Sequence, residues 1–402
     1  MLNLLLLSQD VMSHGVGYDS LYQKSILQNK CNVFIIHTGK YHSPKRNIFS
    51  IKDKNYVNSY KLIKNIYINK NIDIAHVKGF LSFEHLYLYS LLIFLNKKFV
   101  ITLYSHLTKH CLNNKLFFEN PDIKKLNLKN NKSKPSINIQ NYTSSFFKKL
   151  YVYSFGLFII KRAKTLICFS KFERQTAYKF KKNIEILYEP SLITKTKKVK
   201  VKKFNYFNKK DINIVYWGRL DFRIKGIDRI ITFAKNISKI DKKNIIKIYL
   251  MGPDYNQGLN KANNLIIKFN LQKKVIVAPT EIWKQTKTPL IHADYSILLS
   301  RWDGFPRSLR ESLFFNVPVI VSKETNFADL INNFKCGLVI NADKKDYLKF
   351  IKLMLSNKHT IKNHKNNCNK AFNEIHPKNT STNFLKILTK YSQSPKKINY
   401  FS

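Results

Sequence analysis

Cysteine is scarce in this 402-residue chain, and the few cysteines show no pattern typical of a metal site or a disulfide framework. They lie at widely separated positions: Cys31, Cys111, Cys168, Cys336 and Cys368. No two are spaced as C-x-x-C, and an odd number cannot all form pairs. We therefore predict reduced thiols in a reducing compartment and no zinc site.

Long apolar runs are also missing. The longest, residues 86–95 and 150–160, reach about half of the roughly 20 residues that a membrane-spanning helix needs. The apolar start, residues 2–7, is short, has no basic segment before it and continues into polar residues, unlike a secretory signal. The sequence predicts a cytoplasmic protein, either free or bound peripherally at the cytoplasmic face of a membrane.

Acidic residues are few: 24 Asp and Glu stand against 71 Lys and Arg, for a formal net charge of +47. Two explanations remain open. The charge is compositional, because Lys, Asn and Ile are abundant throughout, or it attracts the chain to a polyanion such as nucleic acid or an anionic membrane. The 11 histidines show no metal-ligand spacing and no D-x-D segment occurs, so we predict no bound metal.

Arginine is the scarce basic residue, with nine against 62 lysines, and it is clustered. The guanidinium group is a rigid fork of donors that matches phosphate or carboxylate, so its enrichment indicates binding-site candidates. Six of the nine arginines lie in two short windows: Arg219, Arg223 and Arg229, then Arg301, Arg307 and Arg310.

The order of apolar runs predicts an α/β fold. At 402 residues, with 44% hydrophobic composition, the chain is expected to form two globular domains. Continuous apolar runs alternate with helical stretches, as in buried parallel strands. The charged, core-poor residues 191–210 divide two such series, so we predict two doubly wound domains. The predicted strands are 2–7, 31–38, 72–77, 99–104, 165–170, 184–190, 212–218, 245–252, 275–279, 295–300 and 317–322.

Residues 301–311 read RWDGFPRSLRE and join a predicted strand to a predicted helix. The helix N-terminus offers N–H groups and a positive dipole end, which suit an anion, and Gly304 allows close approach of a ligand. Simpler interpretations stay open: Asp303 is a solvated loop acid, and Ser308-Leu-Arg-Glu311 fits a capping box. We also predict that Asn316 ends the helix in the left-handed conformation.

The second arginine window, WGRLDFRIKGIDRI at 217–230, also leaves the carboxyl end of a predicted strand. Two cationic patches at strand ends of one domain suit a diphosphate, with the acids left to bind hydroxyl groups. Neither window is a Walker P-loop, and GVG at 15–17 lacks the third glycine of a dinucleotide fingerprint.

These windows resemble a known family. DGFPRSLRESLFFNVPVIVS is similar to the E-x7-E segment of the retaining glycosyltransferases of family 4, with Asp303 in place of the first Glu. WGRLDFRIKG is similar to the G-R-L…K-G segment of that family, and LMGP at 250–253 to the turn between them. The resemblance covers roughly residues 165–345, whereas the N-terminal half matches only in outline.

The resemblance implies the GT-B fold, with two Rossmann-like domains facing across a cleft. Residues 1–195 would form the acceptor-side domain, with an insertion at about 112–145. Residues 205–375 would bind the nucleotide sugar, and 376–402 would be a tail that packs back on the N-terminal domain.

The resemblance also implies roles for single residues. Arg219 and Lys225 would hold the donor diphosphate, Glu311 the ribose and Asp303 the hydroxyls of the donor sugar. His106 would lie across the cleft near that sugar. The remaining donor contacts would come from Gly15, Gly17, Gly218, Gly304, Phe305, Pro306, Arg307 and Ser308, with backbone N–H groups supplied by the segment from Phe305 to Ser308.

The activity implied is retaining transfer of a sugar from a nucleotide-diphosphate donor to a glycan acceptor, lipid-linked or part of lipopolysaccharide or surface polysaccharide. No cofactor beyond this co-substrate, and no nucleic-acid partner, is expected. Two alternatives stay open: another GT-B enzyme, such as a nucleotide-sugar epimerase or a glycan phosphorylase, and a basic nucleic-acid-binding protein.

Overall fold

The structure is a computed structural model. It describes residues 1–8, 16–51, 54–79, 83–103, 152–190, 207–208, 210–278, 288–301, 303–341, 346–356 and 358–393. Two compact units divide the described residues: the first holds those up to residue 188 together with 377–393, and the second holds those within 189–376.

The first unit contains a seven-stranded sheet in the order β3-β2-β1-β4-β5-β6-β7, in which all neighbouring strands are parallel. Its strands are β1 (Leu2–Ser8), β2 (Cys31–His37), β3 (Ile48–Ser50), β4 (Ile74–Lys78), β5 (Phe99–Thr102), β6 (Leu166–Cys168) and β7 (Ile184–Ile186). Its helices are α1 (Val16–Leu27), α2 (Tyr56–Asn69), α3 (Phe83–Phe94), α4 (Leu157–Arg162), which follows a π-helical turn at Val152–Gly156, and α5 (Lys171–Ala177). A 3-10 turn, Pro44–Arg46, precedes β3.

The burial of both faces of strand β1 explains its uninterrupted run of leucines. Leu5 and Leu7 enter one core cluster and Leu4 and Leu6 another, so both faces of the strand are buried. A strand covered on both faces needs apolar residues at every position. The continuous apolar pattern therefore predicted β1 correctly.

The last described helix of the chain belongs to this first unit. It spans Pro377–Ser392, and its Phe384 and Leu388 are buried in the same cluster as Leu4 and Leu6. Lys390 also contacts the Glu185 carboxylate of β7 at 2.8 Å.

The second unit contains a six-stranded sheet in the order β10-β9-β8-β11-β12-β13, again with parallel neighbours. Its strands are β8 (Ile212–Trp217), β9 (Ile246–Met251), β10 (Val275–Val277), β11 (Tyr295–Leu298), β12 (Val319–Ser322) and β13 (Gly337–Ile340). Its helices are α6 (Ile227–Ile240), α7 (Gly258–Lys268), α8 (Thr288–Ile291), α9 (Arg307–Phe314), α10 (Ala328–Phe334), α11 (Asp346–Ser356) and α12 (Lys358–Glu374). The terminal helix Pro377–Ser392 is α13.

Both sheets are parallel and carry helices in alternation with strands, so the predicted α/β fold with two Rossmann-like domains is confirmed. The sequence did not predict two of the strands, β3 and β13, or the helices α2, α5, α7, α8 and α10 to α13. The predicted insertion at about 112–145 lies outside the described residues.

Candidate active site

The two arginine windows lie on loops that leave neighbouring strands. Strands β8 and β11 pair directly in the second sheet and run in parallel, so their carboxyl ends meet at one edge. The first loop runs from Gly218 to Gly226 and the second from Leu299 to Pro306. This edge is where doubly wound sheets bind their ligands.

Buried Arg301 ties the two loops together. Its guanidinium donates to both oxygens of the Asp228 carboxylate, at 2.9 and 2.5 Å, and to the Phe222 carbonyl at 2.7 Å. Its backbone N–H donates to the Ile224 carbonyl at 2.9 Å. Arg301 and Asp228 are both buried, and their bidentate pairing allows only one relative orientation of the two groups. Together with the bonds to Phe222 and Ile224, it holds the second loop against the first.

The arginine clustering is therefore only partly a ligand-binding signal. Besides Arg301, Arg229 contacts the Ser300 carbonyl and the Glu324 carboxylate at 3.4 Å each. Buried Arg310 donates to the Pro190 carbonyl at 2.5 Å. Protein carbonyl or carboxylate oxygens accept hydrogen bonds from all three of these arginines, so each one also holds loops of the domain in place. Phosphate binding by these three stays a prediction.

Arg219 is different, since 42% of its side chain is exposed. Its Nη2 lies 3.1 Å from Oδ2 of the buried Asp221 carboxylate. Its guanidinium also stacks over the Tyr255 ring, 4.6 Å from the centroid. Both contacts orient the fork while leaving part of it open to a ligand, which suits recognition of a phosphate.

Two residues that the sequence did not reveal shape this loop. The Asp221 Oδ1 accepts the backbone N–H groups of Arg223 and Ile224, at 2.9 and 3.0 Å. The buried Tyr216 hydroxyl donates to the Arg219 carbonyl at 2.5 Å. Burial, and then the nearby Asp221 and Asp303 carboxylates, raise the pKa of Tyr216 well above its usual value, so this hydroxyl keeps its proton.

Lys225 and Asp303 form an ion pair at the strand ends. The Lys225 ammonium donates to Oδ2 of Asp303, and the Ser300 hydroxyl lies 3.3 Å from the same oxygen. Both side chains are mostly buried but retain some exposure, 22% for Lys225 and 14% for Asp303. The structure thus brings together two residues that the sequence placed 78 positions apart, and Asp303 is not a solvated loop acid.

Helix α9 begins at Arg307, and its preceding residue is Pro306, which makes no side-chain cap. Ser308 is therefore the second residue inside the helix and Glu311 the fifth, so the capping-box interpretation is wrong. Pro306 has no N–H, which leaves Phe305, Arg307 and Ser308 as backbone donors in that segment.

The surroundings of α9 fix its position. The buried Phe305 ring packs against Phe327, with centroids 4.6 Å apart, and Gly304 beside it is half-buried. Asn316 has φ of 58° directly after the helix, so its predicted left-handed conformation is confirmed. The first N–H groups of an α-helix lack intrahelical partners and can bind an anion.

Glycines allow two backbones to approach at the ends of β8 and β9. Gly252 has φ of 153°, and a Cβ at that position would lie 1.7 Å from the Gly218 carbonyl oxygen. The turn after β9 thus packs directly against Gly218, the residue before Arg219. This contact leaves no room for a Cβ, which explains the glycine of the LMGP segment.

Three of the predicted site residues come from the first unit. Gly15 and His106 lie outside the described residues, and Gly17 lies in the first turn of α1. Their roles stay predictions from the resemblance.

Cys31, Cys168, Cys336 and Cys368 are buried free thiols, and Cys111 lies outside the described residues. Among the residues that the structure describes, no three His, Cys, Asp or Glu side chains are grouped so that they could hold a metal ion. No helix in the described ranges is both long and apolar enough to cross a membrane.

Solved structures share this fold across almost the whole chain. A glycosyltransferase from Rickettsia africae ESF-5 is 17% identical with a TM-score of 0.65, over 98% of this chain and 99% of that one. Anabaena Alr3699/HepE in complex with UDP is 12% identical with a TM-score of 0.64, over 97% and 100%. WaaG, described as a glycosyltransferase involved in lipopolysaccharide biosynthesis, is 14% identical with a TM-score of 0.58, over 96% and 100%.

Among curated protein sequences, none is significantly similar to this chain. A family model does match: residues 197–372 fit the family described as glycosyl transferases group 1. The matched segment contains both loops of the site, the Gly252 turn and helix α9. The domain formed by residues 197–372 is thus similar to the group 1 glycosyl transferases, and the fold of the chain is that of the GT-B glycosyltransferases.

Proposed function

We propose that this chain is a retaining glycosyltransferase that moves a sugar from a nucleotide-diphosphate donor to a glycan acceptor. The observation that carries the proposal is the assembly of Arg219, Lys225 and Asp303 on adjacent loops at the carboxyl ends of β8 and β11. Cations for a diphosphate and a carboxylate for sugar hydroxyls then stand side by side in the family-matched domain.

The proposed chemistry follows the flow of charge. Cleavage of the anomeric C–O bond leaves negative charge on the departing nucleotide diphosphate, while positive charge develops on the sugar. Arg219, Lys225 and the N-terminus of α9 stabilise the diphosphate electrostatically, so the step requires no metal ion. The acceptor attacks on the leaving-group face and gives its proton to the departing phosphate, which retains the anomeric configuration without a separate base.

The donor-binding roles are divided by chemistry. Asp303 accepts hydrogen bonds from the hydroxyls of the donor sugar, and its pairing with Lys225 holds the carboxylate in place. Glu311 binds the ribose hydroxyls of the nucleotide. Gly218 and Gly304 let the backbone approach the donor, and the N–H groups of Phe305, Arg307 and Ser308 complete the donor contacts. Gly15, Gly17 and His106 keep their proposed places by resemblance alone.

We further propose a lipid-linked glycan, lipopolysaccharide or a surface polysaccharide as the acceptor, met at the cytoplasmic face of a membrane. The high positive charge supports this, because anionic lipid attracts basic surfaces. The fold shared with WaaG is consistent with it.

Turnover of a panel of nucleotide sugars by the purified protein tests the proposed function. We expect one donor to be consumed with release of its nucleoside diphosphate, equally with and without EDTA, and the new linkage to keep the anomeric configuration of the donor by NMR. An inverted product would overturn the retaining mechanism. Isomerised donor without transfer would indicate an epimerase, and tight oligonucleotide binding with no affinity for UDP or GDP a nucleic-acid-binding protein.

Glu311→Gln tests the ribose contact. The substitution keeps size and removes the charge, so the hydrogen bonds to ribose lose about 1.5–3 kcal/mol. We expect the KM for the donor to rise on the order of 10- to 100-fold with kcat little changed. The free energy of unfolding should change by no more than about 0.5 kcal/mol, since Glu311 does not cap α9.

Glu374→Gln, at an exposed position near the end of α12, is the matched control and should leave KM unchanged. A donor KM that stays at the wild-type value in Glu311→Gln would contradict the ribose assignment.

A further inference from the structure

The first unit exposes a group of large apolar side chains. Phe94 at the end of α3 is 73% exposed, Val57 is 56% and Phe158 is 47%. Tyr56 and Phe155 are also exposed. Single exposed apolar residues are ordinary, whereas several on one surface mark an interaction site.

Contacts place these side chains next to one another. The Tyr56 and Phe94 rings meet edge to face, with centroids 6.3 Å apart, and the Tyr56 hydroxyl donates to the Ser90 hydroxyl at 3.3 Å. The Phe155 and Phe158 rings lie 6.2 Å apart.

Helix α4 connects the two aromatic pairs. Arg162 lies one turn after Phe158 on the same face of α4. Its guanidinium donates to the side chain of Asn96 at 2.8 Å, and Asn96 follows Phe94 by two residues. We call the five side chains Tyr56, Val57, Phe94, Phe155 and Phe158 the aromatic patch.

Helix α4 and the turn before it are amphipathic. Ile159 and Ile160 are fully buried in the core cluster of the first unit, whereas Phe155 and Phe158 point to solvent. Burial in the core therefore accounts for the two isoleucines of this helix. Core packing does not account for the two exposed phenylalanines.

The segments that carry the aromatic patch are basic. Residues 54–69, 88–98 and 152–164 contain no Asp or Glu, and the nearest acids in sequence are Asp53, Asp73 and Glu84. Their basic residues are Lys54, Lys61, Lys64, Lys97, Lys98, Lys161, Arg162 and Lys164. Most of them are exposed. An apolar centre flanked by these basic residues, the basic surround, is complementary to a surface that is apolar inside and anionic outside.

We propose that the aromatic patch and its lysines dock this domain on an anionic lipid bilayer. The aromatic rings enter the interface between headgroups and acyl chains, and the lysine and arginine side chains contact the lipid phosphates. A single-stranded nucleic acid stacks its bases on exposed rings among basic residues, but it gains little from an exposed Val57 or from the Tyr56 and Phe94 rings, which already pack edge to face. Oligonucleotide binding is therefore the competing outcome of the test. This docking deepens the membrane part of the proposed function, and vesicle binding tests it without requiring turnover.

Co-sedimentation with vesicles is the test. At low salt we expect the protein to sediment with phosphatidylglycerol-containing vesicles and to remain in the supernatant with pure phosphatidylcholine. Salt at about 1 M should release it, because the Debye length falls to about 3 Å. The double variant Phe94→Ser/Phe158→Ser and the double variant Lys161→Glu/Lys164→Glu should each weaken vesicle binding at least tenfold.

Matched controls lie in the second unit. Leu259→Ser/Ile267→Ser removes exposed apolar side chains from α7, and Lys242→Glu/Lys243→Glu reverses exposed charges after α6. Both should bind vesicles like the wild type, and all four variants should keep the wild-type affinity for UDP or GDP. That affinity separates loss of docking from loss of the donor site.

Equal recovery in the supernatant with both vesicle types would overturn the docking surface and leave the charge compositional. Wild-type sedimentation of both patch variants would do the same for this location. If the charge-reversed patch variant loses binding to an oligonucleotide while keeping vesicle binding, the basic surround serves a nucleic acid instead.

Discussion

Lys225→Met should reduce kcat/KM for sugar transfer by about 100-fold or more while the protein stays folded. Lys225 supplies the ammonium at the strand ends and pairs with Asp303, and 22% of its side chain is exposed. Losing one charged hydrogen bond costs about 1.5–3 kcal/mol. The cost rises when that donor faces charge developing in the transition state, where removal of one donor typically costs 10²–10³ in rate, on the order of 3–4 kcal/mol.

Arg219→Ala should have an effect of similar size for the same reason. Its guanidinium is oriented by Asp221 and Tyr255, and 42% of its side chain is exposed to solvent. Its removal should therefore leave the loop nearly intact while taking away a positive charge from the proposed diphosphate site. Initial rates with the active donor, and calorimetry with the nucleoside diphosphate, measure the loss. Thermal unfolding shows whether each variant is folded.

Exposed basic residues away from the site serve as controls. Lys242→Ala and Arg174→Ala remove a lysine and an arginine from exposed positions, and both should turn over like the wild type. The diphosphate assignment fails if Lys225→Met and Arg219→Ala also turn over at the wild-type rate.

The sequence predicted the structure best where a single physical requirement, such as burial of both faces of a strand, restricts the residue type. Strand β1 is buried on both faces, so its leucines form an unbroken run that needs no context to interpret. The residue pattern of the terminal helix α13 gave no such signal, because it carries few apolar residues among Lys, Asn and Thr. Only the family resemblance predicted a tail that packs back on the N-terminal domain. Its place beside Leu4 and Leu6 depends on contacts about 380 residues apart in sequence.

The site divides in the same way. Residue type and the resemblance to family segments made Arg219, Lys225 and Asp303 site candidates, and the structure brings the last two into contact. The same arginine clustering also made Arg301 a candidate, but its guanidinium binds the Asp228 carboxylate. A guanidinium has the same appearance in a sequence whichever carboxylate or phosphate it meets.

The roles of Tyr216, Asp221 and Gly252 could not be predicted beforehand, although Asp221 and Gly252 lie in segments that resemble the family. All three contact the backbone near Arg219. The Tyr216 hydroxyl donates to the Arg219 carbonyl, and the Asp221 carboxylate accepts the N–H of Arg223. Gly252 lies against the carbonyl of Gly218. Such roles are visible only when the chain is folded. They make the Arg219 loop a rigid part of the domain, with consequences for its stability.

Gly252→Ala should be the most destabilising of the substitutions considered. The new Cβ would lie 1.7 Å from the Gly218 carbonyl oxygen and 2.4 Å from its carbon, and backbone atoms cannot rotate away. The required shift of β8 or β9, together with a φ that favours glycine, should lower the free energy of unfolding by about 3 kcal/mol or more. Urea unfolding measures this loss directly.

Gly218→Ala is the matched control. Gly218 has nearly the same φ, 157°, but its Cβ would meet the Tyr216 side chain, of which the hydroxyl oxygen is the nearest atom at 3.3 Å, and no backbone atom is among its nearest neighbours. The backbone strain is therefore similar in both variants and the clash is present in one. Equal losses of stability in the two variants would show that the close approach of Gly252 and Gly218 does not constrain the fold.

The Gly252→Ala substitution should also weaken donor binding in the molecules that remain folded. The displaced Gly218 carbonyl is adjacent to Arg219, and the added Cβ would stand 3.2 Å from the Arg219 nitrogen. If the loss of affinity arises through Arg219, adding Gly252→Ala to Arg219→Ala should cost little further affinity, because coupled positions are not additive. Full additivity in calorimetry with the nucleoside diphosphate would mean that the turn after β9 contacts the donor independently of Arg219.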